Sequence, residues 1–234
     1  IGFLPDTPAF GTYLTAYEFL GVCARLLNIP SNKRKQRIDE VLETVKMTQS
    51  AKARLGTFSR GMLQRIGIAQ AILNKPELLI LDEPLLGLDP YGRQELKDII
   101  ISQKLAGTNV FFSSHILSDV EQICDHIAIL NKGKTLCCGR LEELLSETGY
   151  KLMVAAGVEE PVKEFMSEAI GTAKLPDGGW ELSFAKNADL KVKLDNAVQR
   201  FPEKVSLSFA RENLEEFFFR KVEEVEGKAP APKA

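Results

Sequence analysis

Leu78-Leu79-Ile80-Leu81-Asp82-Glu83-Pro84 is the stretch that decides the reading of this chain. Four consecutive apolar residues without polar alternation predict a parallel strand covered on both faces. The run ends in two adjacent carboxylates, and Pro84 stops it. Open parallel sheets bind ligands beyond the carboxyl ends of their strands, so Asp82 and Glu83 stand where a site is expected. Adjacent strand residues point to opposite faces, which lets the two carboxylates hold different tasks. One can help hold Mg²⁺, a hard cation that keeps waters and takes few protein ligands. The other can orient or deprotonate an attacking water. A plain Asp-Glu-Pro surface turn is the alternative, and the flanking sequence decides against it.

Upstream, Phe58-Ser59-Arg60-Gly61-Met62-Leu63-Gln64-Arg65 enters a helix. A Ser hydroxyl and free N–H groups at a helix amino terminus make an anion site, and Gly61 lets a phosphate approach the backbone. Ser59 as a simple N-cap explains Ser59 but not the rest. Downstream come Gly87-Leu88-Asp89-Pro90 and then Phe111-Phe112-Ser113-Ser114-His115. His115 follows a second apolar strand, on the sheet edge expected to carry the carboxylates. A His there can donate to a phosphate oxygen.

The rest of the chain bounds the reading. Its 234 residues carry 30 Lys+Arg against 32 Asp+Glu, a net charge of −2, and that near-neutral balance argues against a dedicated nucleic-acid binder. The longest apolar run, Leu152 to Ala156, is strand-sized, far short of the ~20 residues that span a bilayer. Cys23, Cys124, Cys137 and Cys138 lack metal spacing and read as free thiols; His126 reads as structural. The chain opens at Ile1 in a strand-like stretch without an initiator Met, and is expected to be the carboxyl-terminal portion of something longer.

Helical spacing is predicted from about Thr15 to Leu27, from a Ser31 cap to Val45, from a Ser59 cap to Leu73, and from Tyr91 to Lys104. The run Lys33-Arg34-Lys35 reads as a solvated helix surface rather than a phosphate or lipid contact. Asn109 to Phe112 and His126 to Leu130 read as strands, and His115 to Cys124 as a helix. Strands alternating with helices mean a parallel α/β sheet. After Gly149 the texture changes to a small α+β domain. It has strands at 150–156, 180–184 and 205–209, and helices at 161–169, 190–201 and 213–225. The last helix carries an apolar stripe of Leu214, Phe217, Phe218 and Val222. The Ala-Pro tail at 226–234 is expected to be disordered.

Taken together, these motifs resemble the ATP-binding subunit of an ABC transporter, exporter-type. Ser59-Arg60-Gly61-Met62 resembles the signature loop, Leu78 to Glu83 the Walker B strand, Gly87 to Asp89 the D-loop, and His115 the switch histidine. The resemblance covers roughly residues 1–145. Residues 150–222 are similar, more weakly, to the carboxyl-terminal domain of many exporter subunits. It implies a P-loop NTPase-like α/β fold with a partial helical subdomain (about 11–57) in an ATP-binding domain at 1–148. A small α+β domain would occupy 149–225. It also implies ATP and Mg²⁺ as ligands. Asp82 would position Mg²⁺ through water, Glu83 would be the general base, and His115 would contact the γ-phosphate. Ser59, Arg60, Gly61 and Met62 would form the loop that meets ATP held by an opposite, head-to-tail subunit, and Asp89 would couple the two sites. The partners implied are that second subunit and a transmembrane permease, and the location is peripheral on the cytoplasmic face of the membrane.

Three departures stand out. Phe58, Arg60 and Met62 replace three residues of the usual Leu-Ser-Gly-Gly-Gln. Asp6, after Ile1-Gly2-Phe3-Leu4-Pro5, stands where the Q-loop has Gln; Asp can still reach a Mg²⁺ shell. The phosphate cradle G-x-x-x-x-G-K-[ST] does not occur in these 234 residues; Gly56 to Gly61 has the glycine spacing but continues Met62-Leu63. Residues 1–234 alone are therefore expected to hydrolyse ATP negligibly. The competing readings are a soluble non-transport ABC ATPase and a catalytically silent regulatory protein. Intact Asp82, Glu83 and His115 weigh against the latter.

Overall fold

The computed structural model describes residues 1–145 and 147–226, so most of the expected disordered tail lies outside the described residues. The chain divides into two compact units, Ile1–Ile123 and a second from Cys124 onward. Each is described by itself.

The first unit begins with strand β1 (Gly2–Leu4) and helices α1 (Ala16–Leu26), α2 (Ser31–Thr44) and α3 (Arg60–Ile72). Strand β2 (Leu78–Leu81), helix α4 (Pro90–Leu105), strand β3 (Asn109–Phe112) and helix α5 (Leu117–Ile123) follow. The three strands pair in parallel in the order β1-β2-β3. Leu4 lies beside Leu81, and Leu81 beside Phe112, so all three strands end level with one another. One edge of the sheet therefore presents Asp6, Asp82-Glu83 and Ser113 to His115.

Leu4, Leu79 and Leu81 are buried on one face of this sheet, in a core shared with Ile66, Ile68 and Ile72 of α3. The other face is open: Phe3 and Phe111 are 54% and 64% exposed, and Ile80 is half-buried. Strand β2 is thus covered on one face only among the described residues, not on both as its sequence predicts.

Local chemistry explains the helix ends. Thr15 and Glu18 form a reciprocal capping box at the start of α1. Pro30, not Ser31, is the N-cap of α2, and no side chain caps that end. From α2, Arg34 Nε donates to Ile29 O at 2.6 Å, while Arg37 donates to Leu73 O and Ile72 O at 2.8 and 2.6 Å. Arg37 thereby satisfies carbonyls at the end of α3. Lys33 and Lys35 are exposed. Segment 11–57 closes on itself, with Leu55 N donating to Leu14 O at 2.9 Å and Gly56 N to Thr12 O at 3.0 Å. Helix α3 lies tight against β1 because Gly67 has no side chain; a Cβ there would stand 2.3 Å from Leu4 Cδ1.

The second unit opens with a hairpin of β4 (His126–Asn131) and β5 (Lys134–Arg140), turned at Lys132-Gly133, both with positive φ. Strand β5 has no sequence forecast because its residues do not alternate. The hairpin is a two-stranded sheet of its own. Hence the compact division falls after Ile123, whereas the boundary expected at 148/149 lies inside a later strand.

Helix α6 (Leu141–Leu144) leads into β6 (Glu147–Val154), α7 (Glu160–Phe165), β7 (Gly171–Lys174), β8 (Trp180–Ala185), α8 (Ala188–Arg200), β9 (Val205–Arg211) and α9 (Leu214–Glu226). The order β7-β8-β6-β9 with antiparallel pairing is the split β-α-β, ferredoxin-like arrangement. Its core joins Leu152, Leu182, Phe184 and Val205 of the sheet to Phe165 of α7 and Leu194 of α8. Strand β7 is exposed throughout and carries no apolar pattern, so the sequence does not announce it. Leu214 and Phe217 of the predicted stripe are buried. Among the described residues no cysteine forms a disulfide, and burial raises the Cys23 thiol pKa.

Candidate nucleotide site

The sheet edge is extended one rung past the strands. Asp82 N donates to Leu4 O at 2.8 Å, and Ser113 N donates to Leu81 O at 3.0 Å. This places the Ser113 side chain beside Asp82. Ser113 Oγ donates to Asp82 Oδ1 at 2.6 Å and accepts from Glu83 N at 2.9 Å. His115 Nδ1 stands 2.9 Å from Glu83 Oε1. Four residues from two neighbouring strand exits thus make one connected cluster.

Asp82 and Glu83 lie beyond β2, not within it. Strand alternation therefore does not separate their tasks. The backbone does: Glu83 has φ 44°, in the left-handed region that a side chain adopts at a cost. Residues held this way concentrate at active sites, where surrounding contacts over-determine them. The Glu83 side chain is 24% exposed and that of His115 is 61% exposed, so the pair opens to solvent. His115 also stands outside the helix predicted to start there. Ser114 Oγ accepts from Ile116 N at 3.1 Å, and α5 begins only at Leu117.

An ionised carboxylate only accepts hydrogen bonds. Nδ1 of His115 therefore carries the proton in its contact with Glu83, and Nε2 is left for a ligand. Neutral His115 accepts at Nε2; imidazolium donates there.

The signature-like residues sit at the start of α3. Ser59 is its N-cap, with Oγ accepting from Met62 N at 3.3 Å, and the first turn holds no acidic residue. Such an end favours anions. Arg60 does not project away as a free phosphate hook. Its guanidinium lies over Gly87, where φ is +71° and a Cβ would stand 2.8 Å from one of its nitrogens. Gly61 faces Leu88. The start of α3 is therefore packed on the Gly87–Asp89 loop of its own unit. Asp89 N-caps α4, its Oδ1 accepting from Gly92 N at 2.7 Å, with Pro90 as the first helical residue. Asp6 is exposed on the same edge as Asp82, and no hydrogen bond joins it to Asp82, Glu83 or His115.

Two residues with no role in the sequence reading enter here. Gln64, 2% exposed, donates from Nε2 to Pro84 O at 3.3 Å and so ties α3 to the turn after Glu83. Ser113 links the Asp82 carboxylate to the Glu83 backbone amide. Each stands beside a motif residue, which is the signal that points to them.

The donor set fits a magnesium nucleotide. Asp82 offers a second, hard oxygen at an exposed position, the kind of single carboxylate that Mg²⁺ uses alongside water and phosphate. The start of α3 offers amide donors and a hydroxyl suited to phosphate oxygens.

The parallel sheet, with paired carboxylates and a His at its carboxyl edge beside an anion-ready helix start, has the fold of the P-loop NTPase class. Residues 1–86 match the ABC transporter family. An ABC transporter ATP-binding protein of Nostoc sp. is 40% identical over 227 residues, 95% of this chain and 66% of that protein. The bacitracin transport ATP-binding protein BcrA of Bacillus licheniformis is 47% identical over 137 residues, 58% of this chain and 44% of its own length. The solved structure of an ATP-binding subunit of an ABC transporter superposes with a TM-score of 0.54 at 31% identity, covering 61% of this chain and 60% of that one. This chain belongs to the family of ABC transporter ATP-binding proteins. It spans about two thirds or less of the length of these relatives. Among the described residues no helix is long and apolar enough to cross a membrane.

Proposed function

We propose that this chain is part of the ATP-hydrolysing motor of an ABC-type membrane transporter. ATP-driven closure of a head-to-tail dimer would be coupled to export through a separate permease, with the motor held at the cytoplasmic face of the membrane. The observation that carries the reading is the cluster at the sheet edge: Glu83 and His115 at 2.9 Å, beside Asp82 with one oxygen uncommitted. The relative named for bacitracin transport supports a transport role.

Bound Mg²⁺·ATP supplies the scissile phosphoanhydride and the charge neutralisation that phosphoryl transfer needs. Asp82 would hold the cation's water shell with Oδ2, the oxygen that does not accept from Ser113. Glu83 takes the proton of the attacking water while His115 keeps its carboxylate aimed. As imidazolium, His115 would donate from Nε2 to the γ-phosphate. The start of α3, from Ser59 to Met62, presents its hydroxyl and amides to ATP held by the opposite subunit. Arg60 steadies that loop through Gly87 instead of touching phosphate. Asp89 couples the two sites through α4, and Asp6 is a second, weaker oxygen donor toward the Mg²⁺ shell. Segment 11–57 is the subdomain that meets the permease, within an ATP-binding domain built on the unit Ile1–Ile123.

The test is Glu83→Gln in the full-length protein. Loss of the base is expected to lower ATP turnover at least about a hundredfold and to yield an ATP-dependent dimer by light scattering. Unchanged turnover, or no dimer with ATP, refutes the reading. Residues 1–234 alone, which hold no phosphate-loop lysine, are expected to turn over negligible ATP; brisk hydrolysis by them overturns that expectation.

A further inference from the structure

We propose that Ser113 is a positioning residue for this hydrolytic site: its one hydroxyl sets the carboxylate of Asp82 and the left-handed backbone of Glu83 together. The inference rests on the proposed ATPase function and deepens it.

The parallel register delivers Ser113 to this place. Leu81 pairs with Phe112, and Ser113 N continues the ladder by donating to Leu81 O at 3.0 Å. Its side chain then stands between two groups of opposite need. An ionised Asp82 can only accept, and the amide of Glu83 can only donate. A hydroxyl is the smallest group that answers both. The order is therefore fixed as Glu83 N–H to Ser113 Oγ at 2.9 Å, then Ser113 O–H to Asp82 Oδ1 at 2.6 Å.

Two consequences follow. Asp82 is locked with Oδ1 turned toward β3, which leaves Oδ2 as the oxygen for a cation's water shell. Glu83 keeps its amide satisfied while held at φ 44°. Without that acceptor the strained turn loses a contact that compensates it, and the carboxylate is no longer pinned against His115. The adjacent Ser114 does something different, accepting from Ile116 N at 3.1 Å to start the next turn. Two neighbouring serines thus serve separate elements, and of the two only Ser113 reaches the Asp82 carboxylate and the Glu83 amide.

The experiment compares Ser113→Thr with Ser113→Val in the full-length protein. The two side chains match in volume and branching and differ in the hydroxyl. Hydrogen exchange at the Glu83 amide is the readout independent of activity. The Val variant is expected to exchange there at least about tenfold faster, as befits a lost hydrogen bond, and the Thr variant to stay protected. In steady-state ATP hydrolysis the Val variant is expected to lose about ten- to a hundredfold in kcat, the scale of a misplaced catalytic group. Its half-saturating Mg²⁺ rises several-fold while KM for ATP moves less than about threefold, because ground-state nucleotide contacts lie elsewhere. The Thr variant stays within about threefold of wild type on each measure. Ser113→Ala carries the same expectations as Val, so a folding failure of Val leaves the comparison intact. Thr and Val behaving alike, whether both normal or both impaired, overturns the proposal. If the wild type hydrolyses no ATP, the functional reading fails instead, and exchange at Glu83 still decides whether Ser113 holds that backbone.

Discussion

Replacing Gln64 by Leu isolates the tie between α3 and the catalytic turn. The Gln64 side chain is buried at 2% exposure, and its Nε2 donates to the carbonyl of buried Pro84 at 3.3 Å. Leu keeps most of the volume and removes the donor. A buried carbonyl left without its partner costs about 1–3 kcal/mol. The bond is at the long end of the hydrogen-bond range, so the lower part applies, about 1–2 kcal/mol. That corresponds to a factor of about 5 to 30 in the open population. Fluorescence cannot read it, because the single tryptophan, Trp180, is on β8 of the other unit. Hydrogen exchange followed by mass spectrometry on residues 1–234 can. Peptides covering α3 and the turn from Pro84 to Asp89 are expected to exchange about 5 to 30 times faster, while β6 to β9 keep wild-type rates. Wild-type exchange in α3 and the turn refutes the reasoning. Uniform acceleration through both units does so too, since it means that the side chain serves general packing and not this tie.

Gly67→Ala sets a Cβ 2.3 Å from Cδ1 of buried Leu4, so that side chain must shift within the core. Overpacking of about 1–3 kcal/mol is expected to exceed the ~0.5–1 kcal/mol that Ala gains in a helix, giving a net loss in urea melts followed by circular dichroism. Phe111→Ser in residues 1–234 is expected to cost under about 1 kcal/mol, because the side chain is already 64% exposed; a loss above about 3 kcal/mol in the same melts would mean that this face is covered. Hydrogen bonds from the Thr15 N–H and then its hydroxyl hold the Glu18 carboxyl below the usual carboxylate range. A lowered pKa gives stability that is present above the unfolded value and lost as pH falls through the folded one. The melting-point gap between wild type and Glu18→Gln is therefore expected at pH 7 and should close in strong acid; a gap that persists there refutes this.

Much of the architecture is legible in the chain because its causes are local. Leu78 to Leu81 and Asn109 to Phe112 are strands with the bounds that their apolar runs predict. Ser59 caps α3, as its chemistry demands. The misses share a cause as well. Ser31 has the right chemistry for a cap, yet Pro30 already occupies the position, so Ser31 is the first helical residue. Strands β5 and β7 lack alternating residues and exist because a neighbouring strand offers a ladder. His115 resembles a helix start, but the hydroxyl of Ser114 holds a turn there first.

The carboxylate pair, the histidine and the capped helix start are properties of residue order, and the sequence alone was enough to single them out. Which of them touch was decided by tertiary structure. The parallel register sets Ser113 against Asp82 and His115 against Glu83, two strands distant in sequence and adjacent in space. Packing turned Arg60 back over Gly87 and left one face of an apolar sheet open. Nearest-neighbour chemistry can name a cap or a strand. Only the pairing of distant backbones can bring one hydroxyl within reach of two carboxylate residues.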